Sequence, residues 1–116
     1  MKKKIFCFDL DNVLCRTEKN HYHKSLPIKK NIDTVNRLFN NGYYIKIFTA
    51  RYMGRNNDNI KKATKQGIGI TKRQLKKWKL NYHKLIFGKP SFDIYIDDKS
   101  LFFKKNWIKS LNKYLR

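Results

Sequence analysis

Acidic side chains are scarce in this chain, with 8 Asp and Glu against 28 Lys and Arg over 116 residues. The resulting formal charge of +20 leaves two readings open, a polyanionic partner or a solvated lysine-rich surface, because the cations are spread from Lys2 to Arg116 without one dense block. Cysteine is rarer still, with two residues. Neither Cys7 nor Cys15 opens a C-x5-R phosphatase loop, since positions 13 and 21 are Val and His. Both are read as reduced thiols, Cys7 as a small core residue and Cys15 in a loop. No apolar run approaches the roughly 18 residues of a membrane-spanning helix. The basic start before Ile5–Phe8 imitates a signal peptide, but Asp9 and Asp11 interrupt the apolar part and no small-residue cleavage site follows. A cytoplasmic protein without membrane insertion is expected. There are no internal repeats and no low-complexity linker. Ribonucleoprotein-type aromatic patterns, GXXG loops and zinc-finger spacings are also missing.

What remains is enough for one folded domain, residues 1–116. Hydrophobic residues make up 41% of the chain, including 8 Phe, 7 Tyr and 2 Trp, so a packed core outweighs the tendency of charge toward disorder. The scarcity of acids makes their placement informative. Ile5-Phe6-Cys7-Phe8 runs straight into Asp9-Leu10-Asp11, and Ile94-Tyr95-Ile96 runs into Asp97-Asp98. Half of the eight acids therefore end two strand-like runs. A short apolar run fits a strand buried on both faces, and the carboxyl ends of strands are where open α/β sheets hold ligands. The alternative is a solvated acidic turn at each place.

Residues 3–9 read as the first strand and 12–27 as a loop or small hairpin. Ile32, Val35, Leu38 and Phe39 have helical spacing, stopped by Gly42. Residues 43–49 form the second strand and 51–59 a polar, mobile stretch. A short helix with Ile60 and Ala63 is expected to end near Gly67-Ile68-Gly69, and Thr71-Lys72-Arg73-Gln74 reads as the capping box of another. Residues 85–87 and 94–97 give the third and fourth strands. Trp107 and Leu111, with Tyr114 or Leu115, mark a C-terminal helix packed on the core. Strands alternating with helices predict a parallel α/β sheet of order 3-2-1-4 with the first strand central.

Four segments in order carry a family resemblance: Asp9-Leu10-Asp11-Asn12-Val13-Leu14, Ile45-Lys46-Ile47-Phe48-Thr49-Ala50-Arg51, Gly88-Lys89-Pro90 and Ile96-Asp97-Asp98. The chain resembles a haloacid dehalogenase (HAD) superfamily phosphatase nearly end to end. That resemblance implies a Rossmann-like (HAD-like) three-layer sandwich and a phosphomonoester hydrolase working through an aspartyl-phosphate. It implies Asp9 as nucleophile and Asp11 as general acid and base. Mg²⁺ would be held by Asp9, the Asp11 carbonyl, Asp97 and, directly or through water, Asp98. Phosphate would be held by Thr49, the Ala50 N–H and Lys89, with Pro90 keeping Lys89 extended. The gaps at 12–48 and 50–88 leave no room for a cap domain, which implies an open site, large substrates or an oligomeric neighbour as cap. The run from Gly88 to Lys99 also resembles small HAD phosphatases encoded with capsule polysaccharide genes, implying a sugar phosphate as substrate.

Three further residues are candidates for reading substrate. Arg51 follows the second motif and matches phosphate geometry, the alternative being a salt bridge that braces the motif. His21 and His23 lie in the loop after the first motif, where a solvated pair is the alternative. Two other functions stay open. The net charge and open site suit a phosphatase acting on polynucleotide ends. A non-catalytic, basic nucleic-acid-binding module on the same scaffold would need no hydrolysis at all.

Overall fold

The computed structural model describes residues 3–115. Its centre is a parallel sheet of three strands, β1 (Ile5–Phe8), β4 (Tyr44–Thr49) and β5 (Lys84–Phe87), in the order β1-β4-β5. The intervening elements are a two-residue hairpin of β2 (Cys15–Arg16) and β3 (Leu26–Pro27), α1 (Lys29–Asn40) and α2 (Ile60–Lys77). A short α3 (Trp107–Asn112) closes the described chain.

The register separates two sheet faces. Phe6 pairs with Ile45, Phe8 with Ile47, Ile47 in turn with Leu85, and Thr49 with Phe87. This face carries the core, in which Phe8, Ile45 and Ile47 pack with Ile32, Val35 and Leu38 of α1 and with Leu75, Trp107 and Leu111. Phe8 meets Trp107 edge to face, 6.2 Å between centroids. The other face bears Ile5, Cys7, Tyr44, Lys46, Phe48, Lys84 and Ile86, all exposed or half-buried. Helices therefore bury one face, and the expected three layers are two among the described residues. The cause lies in the topology, because two successive right-handed crossovers moving in one direction put both helices on one side.

Three expectations change accordingly. Cys7 lies on the open face and is exposed, whereas Cys15 is fully buried, the reverse of the sequence reading. Residues 51–59 are no loose stretch, since Arg51 and Met53 are buried and a single 3-10 turn spans Gly54–Asn56. The two helices expected on either side of Gly67-Ile68-Gly69 are one. Asn59 caps α2, its side chain accepting from the Lys62 N–H at 3.0 Å, and Thr71 sits buried inside the helix. Gly67 survives in the helix because it faces ring edges of Tyr52 and Phe87, where a side chain does not fit.

The fourth strand does not form. Residues 94–97 have no ladder partner, Ile94 and Ile96 are 80% and 93% exposed, and β1 is an edge strand rather than central. Docking this segment on β1 would carry Asp97 and Asp98 to the strand end already holding Asp9 and Asp11. Four converging carboxylates repel strongly unless cations intervene.

Candidate active site

Because the three strands run parallel, Asp9, Ala50-Arg51 and Gly88-Lys89 all emerge at the same sheet edge. The chain after β1 turns tightly there. The Leu10 carbonyl accepts from the N–H groups of Val13, Leu14 and Cys15, and Asn12 takes a left-handed conformation with φ 65°. Buried Asn31 of α1 fastens the turn, donating to the Val13 carbonyl at 2.7 Å while accepting from the Trp107 indole at 3.3 Å. At the end of β5, Gly88 turns with φ +109° and the Lys89 N–H donates to the Thr49 carbonyl, so Lys89 re-enters beside Asp9. An open cleft of about 350 Å³ results, lined by Asp9, Asp11, Ala50, Arg51, Lys89 and Phe92 among others.

Asp9 accepts the Leu10 N–H at 2.8 Å on one oxygen and faces the Lys89 ammonium at 3.4 Å on the other. Burial raises its carboxyl above the ordinary value, with Lys89 pulling the other way. Asp11 has different company. Its Oδ1 accepts from the Thr17 hydroxyl at 2.5 Å and from Arg51 Nη2 at 2.9 Å, while Arg51 Nε lies 3.2 and 3.0 Å from Oδ1 and Oδ2. Beside it, burial first and the Asp11 charge second push the Cys15 thiol up to about 11, so it remains a thiol at neutral pH.

Arg51 is the largest fully buried side chain. Its Nη1 donates to Thr71 Oγ1 at 3.2 Å and to Gln74 Oε1 at 2.5 Å, and Nη2 donates to Ser25 Oγ at 3.2 Å. The Tyr22 ring covers the guanidinium, 5.0 Å from ring centroid to Cζ, and Tyr52 packs on Tyr22. Tyr52 holds φ 65°, a costly conformation for a bulky residue, fixed here by its neighbours.

The structure thus brings together Asp9, Asp11, Ala50, Arg51 and Lys89. Thr49 is fully buried behind them, and its hydroxyl accepts the Arg51 N–H at 3.1 Å instead of opening to the cleft. His21 and His23 are exposed and do not line the cleft; Asn20 and Tyr22 take those places. Asp97 and Asp98 are exposed and outside it, and the Lys99 N–H donating to Asp97 at 2.9 Å holds that carboxyl below its usual range. Among the described residues no three His, Cys, Asp or Glu side chains assemble as a metal site. Asp9 and Asp11 line the cleft together, and Asp97 and Asp98 lie outside it. The residues not foreseen are Thr17, Ser25, Thr71 and Gln74. Only the burial of Arg51, with five donors to satisfy, could have called for them.

No protein-family model matches the chain, and no curated protein matches it. Solved structures do. An MCSG target from Vibrio cholerae superposes with a TM-score of 0.79 at 26% identity, covering 95% of this chain and 97% of that one. A chain of the Pnkp1/Rnl/Hen1 complex gives 0.58 at 16% identity, covering 95% of this chain and 33% of that one. A chain of the Pnkp1/Rnl/Hen1 RNA repair complex gives 0.50 at 19% identity, over 98% and 32%. The chain shares its α/β fold with these proteins and spans about a third of the last two. No helix of the described residues is long and apolar enough to cross a membrane.

Proposed function

We propose that this chain is a phosphomonoester hydrolase of the HAD type, acting through an aspartyl-phosphate. The observation that carries the reading is the convergence of Asp9, Asp11 and Lys89 on one cleft at the carboxyl end of the sheet. Lys89 neutralises charge on the phosphoryl group, and the Ala50 N–H is a donor for its oxygens. An Asp9 oxygen attacks phosphorus. The bond to the ester oxygen breaks, and Asp11 gives that oxygen its proton. Asp11 then takes a proton from water, which attacks the same phosphorus and frees Asp9 and inorganic phosphate. Mg²⁺ belongs to the resemblance. The fourth-motif acids lie outside the cleft that holds Asp9 and Asp11.

The resemblance to capsule-associated phosphatases favours a sugar phosphate. A specific observation supports a phosphorylated polynucleotide end as the second reading. Only three ion pairs form among the described residues, using Lys29, Arg51 and Lys89, so most of the positive charge is left for other partners. Likeness to chains of an RNA repair complex agrees with that choice. The deciding experiment is phosphate release from sugar phosphates, nucleotides and 3′- or 5′-phosphorylated oligonucleotides, with Mg²⁺ and with EDTA, using wild type and Asp9→Asn. Release lost in the variant supports the phosphatase, and the best substrate selects the class. Turnover by pure Asp9→Asn at the wild-type rate would sink the mechanism.

A further inference from the structure

Arg51 has no donor left for a substrate. Its Nε–H goes to Asp11, its two Nη1 hydrogens to Thr71 and Gln74, and its two Nη2 hydrogens to Asp11 and Ser25. A guanidinium has five N–H groups, so the set is complete. The partners are held in turn. Gln74 Nε2 donates to the Tyr22 carbonyl at 2.6 Å, which fixes Oε1 toward Arg51. Thr17 spends its single hydroxyl hydrogen on Asp11, so in the 2.6 Å contact between Ser25 and Thr17 it is Ser25 that donates. Ser25 is then left as acceptor for Arg51. The hydrogens of Arg51, Thr17 and Ser25 thus each have a partner, and that of Thr17 and one of Arg51 Nη2 end on one atom, Asp11 Oδ1, which Cys15 Sγ also approaches at 3.5 Å. Oδ2 keeps a single contact, from Arg51 Nε at 3.0 Å.

We propose that Arg51 is a positioning residue, which with Thr17 fixes the rotation of the Asp11 carboxylate so that Oδ2 handles the proton of the leaving group and of water. This rests on the phosphatase reading and goes beyond it, assigning Arg51 to Asp11 and not to the phosphate. The planar fork matters here as well as the charge, because Nε and Nη2 grip the two carboxylate oxygens together.

The test separates leaving groups. An alkyl phosphate needs a proton on its leaving oxygen, whereas p-nitrophenyl phosphate does not. Single-turnover cleavage and steady-state kcat and KM are measured on both esters for wild type, Arg51→Lys, Thr17→Val and Asp11→Asn. Arg51→Lys is expected to lose about 10²- to 10⁴-fold on the alkyl ester, the range of general acid catalysis, and less than about tenfold on the nitrophenyl ester, with KM little changed. Thr17→Val, which leaves the buried ion pair intact, is expected to show the same split to a smaller degree and decides the matter if Arg51→Lys does not fold. Equal losses on the two esters, or a rise in KM at constant kcat, would assign Arg51 to phosphate binding or to the scaffold and overturn the proposal. Asp11→Asn tells the two failures apart. If it shows the split and Arg51→Lys and Thr17→Val do not, only the positioning role falls; if it cleaves the alkyl ester like wild type, Asp11 carries no proton and the positioning role falls with it; if wild type cleaves neither ester, the phosphatase reading itself falls.

Discussion

Two glycines in α2 allow the packing beneath the site to be tested free of helix propensity. A Cβ on Gly67 would lie 2.6 and 2.9 Å from the Tyr52 ring and 2.7 Å from the Phe87 ring. A Cβ on Gly69 meets only the end of the Arg73 side chain at 3.3 Å, which can swing away. Alanine in place of a helical glycine gains about 1 kcal/mol at either position. Overpacking at Gly67 costs about 1–3 kcal/mol, because Phe87 is core and Tyr52 is locked against Tyr22. Gly69→Ala is therefore expected to stabilise by up to about 1 kcal/mol and Gly67→Ala to destabilise by about 1 kcal/mol. The propensity gain cancels in their difference, leaving the collision alone, about 2 kcal/mol or roughly 8 °C in Tm for a domain of this size. Urea denaturation of both variants, with equal m-values checked, measures it. A difference below about 0.5 kcal/mol would refute the argument, since the smallest overpacking cost is twice that.

Asp9→Asn is expected to abolish turnover in a folded protein and to alter the pH dependence of stability. Burial raises the native Asp9 carboxyl above 3.8, so the folded state holds that proton more tightly than the unfolded chain. Its contribution to stability is complete below about pH 3.8 and is lost as pH rises through the native value. The variant should thus gain on wild type between pH 3 and pH 7 in urea titrations; a constant offset would show that burial does not dominate. Cys7 is exposed and Cys15 buried with its thiol at about 11, so Ellman's reagent at pH 8 should find one fast thiol per chain and a second only in denaturant. If the polynucleotide reading holds, binding of a phosphorylated oligonucleotide should fall steeply with salt while KM for a small phosphomonoester changes little. Parallel salt slopes would remove that reading.

The sequence made the site's acids legible and its framework much less so. Asp9 and Asp11 stand out because carboxylates are scarce and they follow an apolar run, so strand-end placement follows from period and topology, whereas Lys89, one of 28 Lys and Arg, is picked out only by the motif it belongs to and its place relative to the acids. The fate of Arg51 depends on Ser25, Thr71 and Gln74, which meet only after α2 has docked. Thr71 even fits a capping box, and tertiary demand for its hydroxyl overrode the local signal. Cys7 is exposed because β1, read as buried on both faces, has helices over one face alone, while Cys15 of β2 joins the core cluster. Residues 94–97 have the composition of a strand, and composition does not specify a partner edge.

Asp9 and Asp11 are two residues apart, yet they end in different surroundings. Asp9 is a third exposed and faces one flexible ammonium at 3.4 Å. Asp11 is 18% exposed and gripped by a guanidinium that is itself immobilised on every nitrogen. In the proposed reaction Lys89 moves onto the arriving phosphoryl group and releases the Asp9 oxygen for attack. Arg51 cannot leave Asp11 without stranding a buried charge, a loss of about 3–5 kcal/mol. A nucleophile must be freed and a proton carrier must be aimed, and one exchangeable and one fixed cation supply those two needs. Interchanging the partners would confine the nucleophile and let the acid rotate, so the counter-ions support the proposed assignment of Asp9 to attack and Asp11 to proton transfer that the resemblance implies.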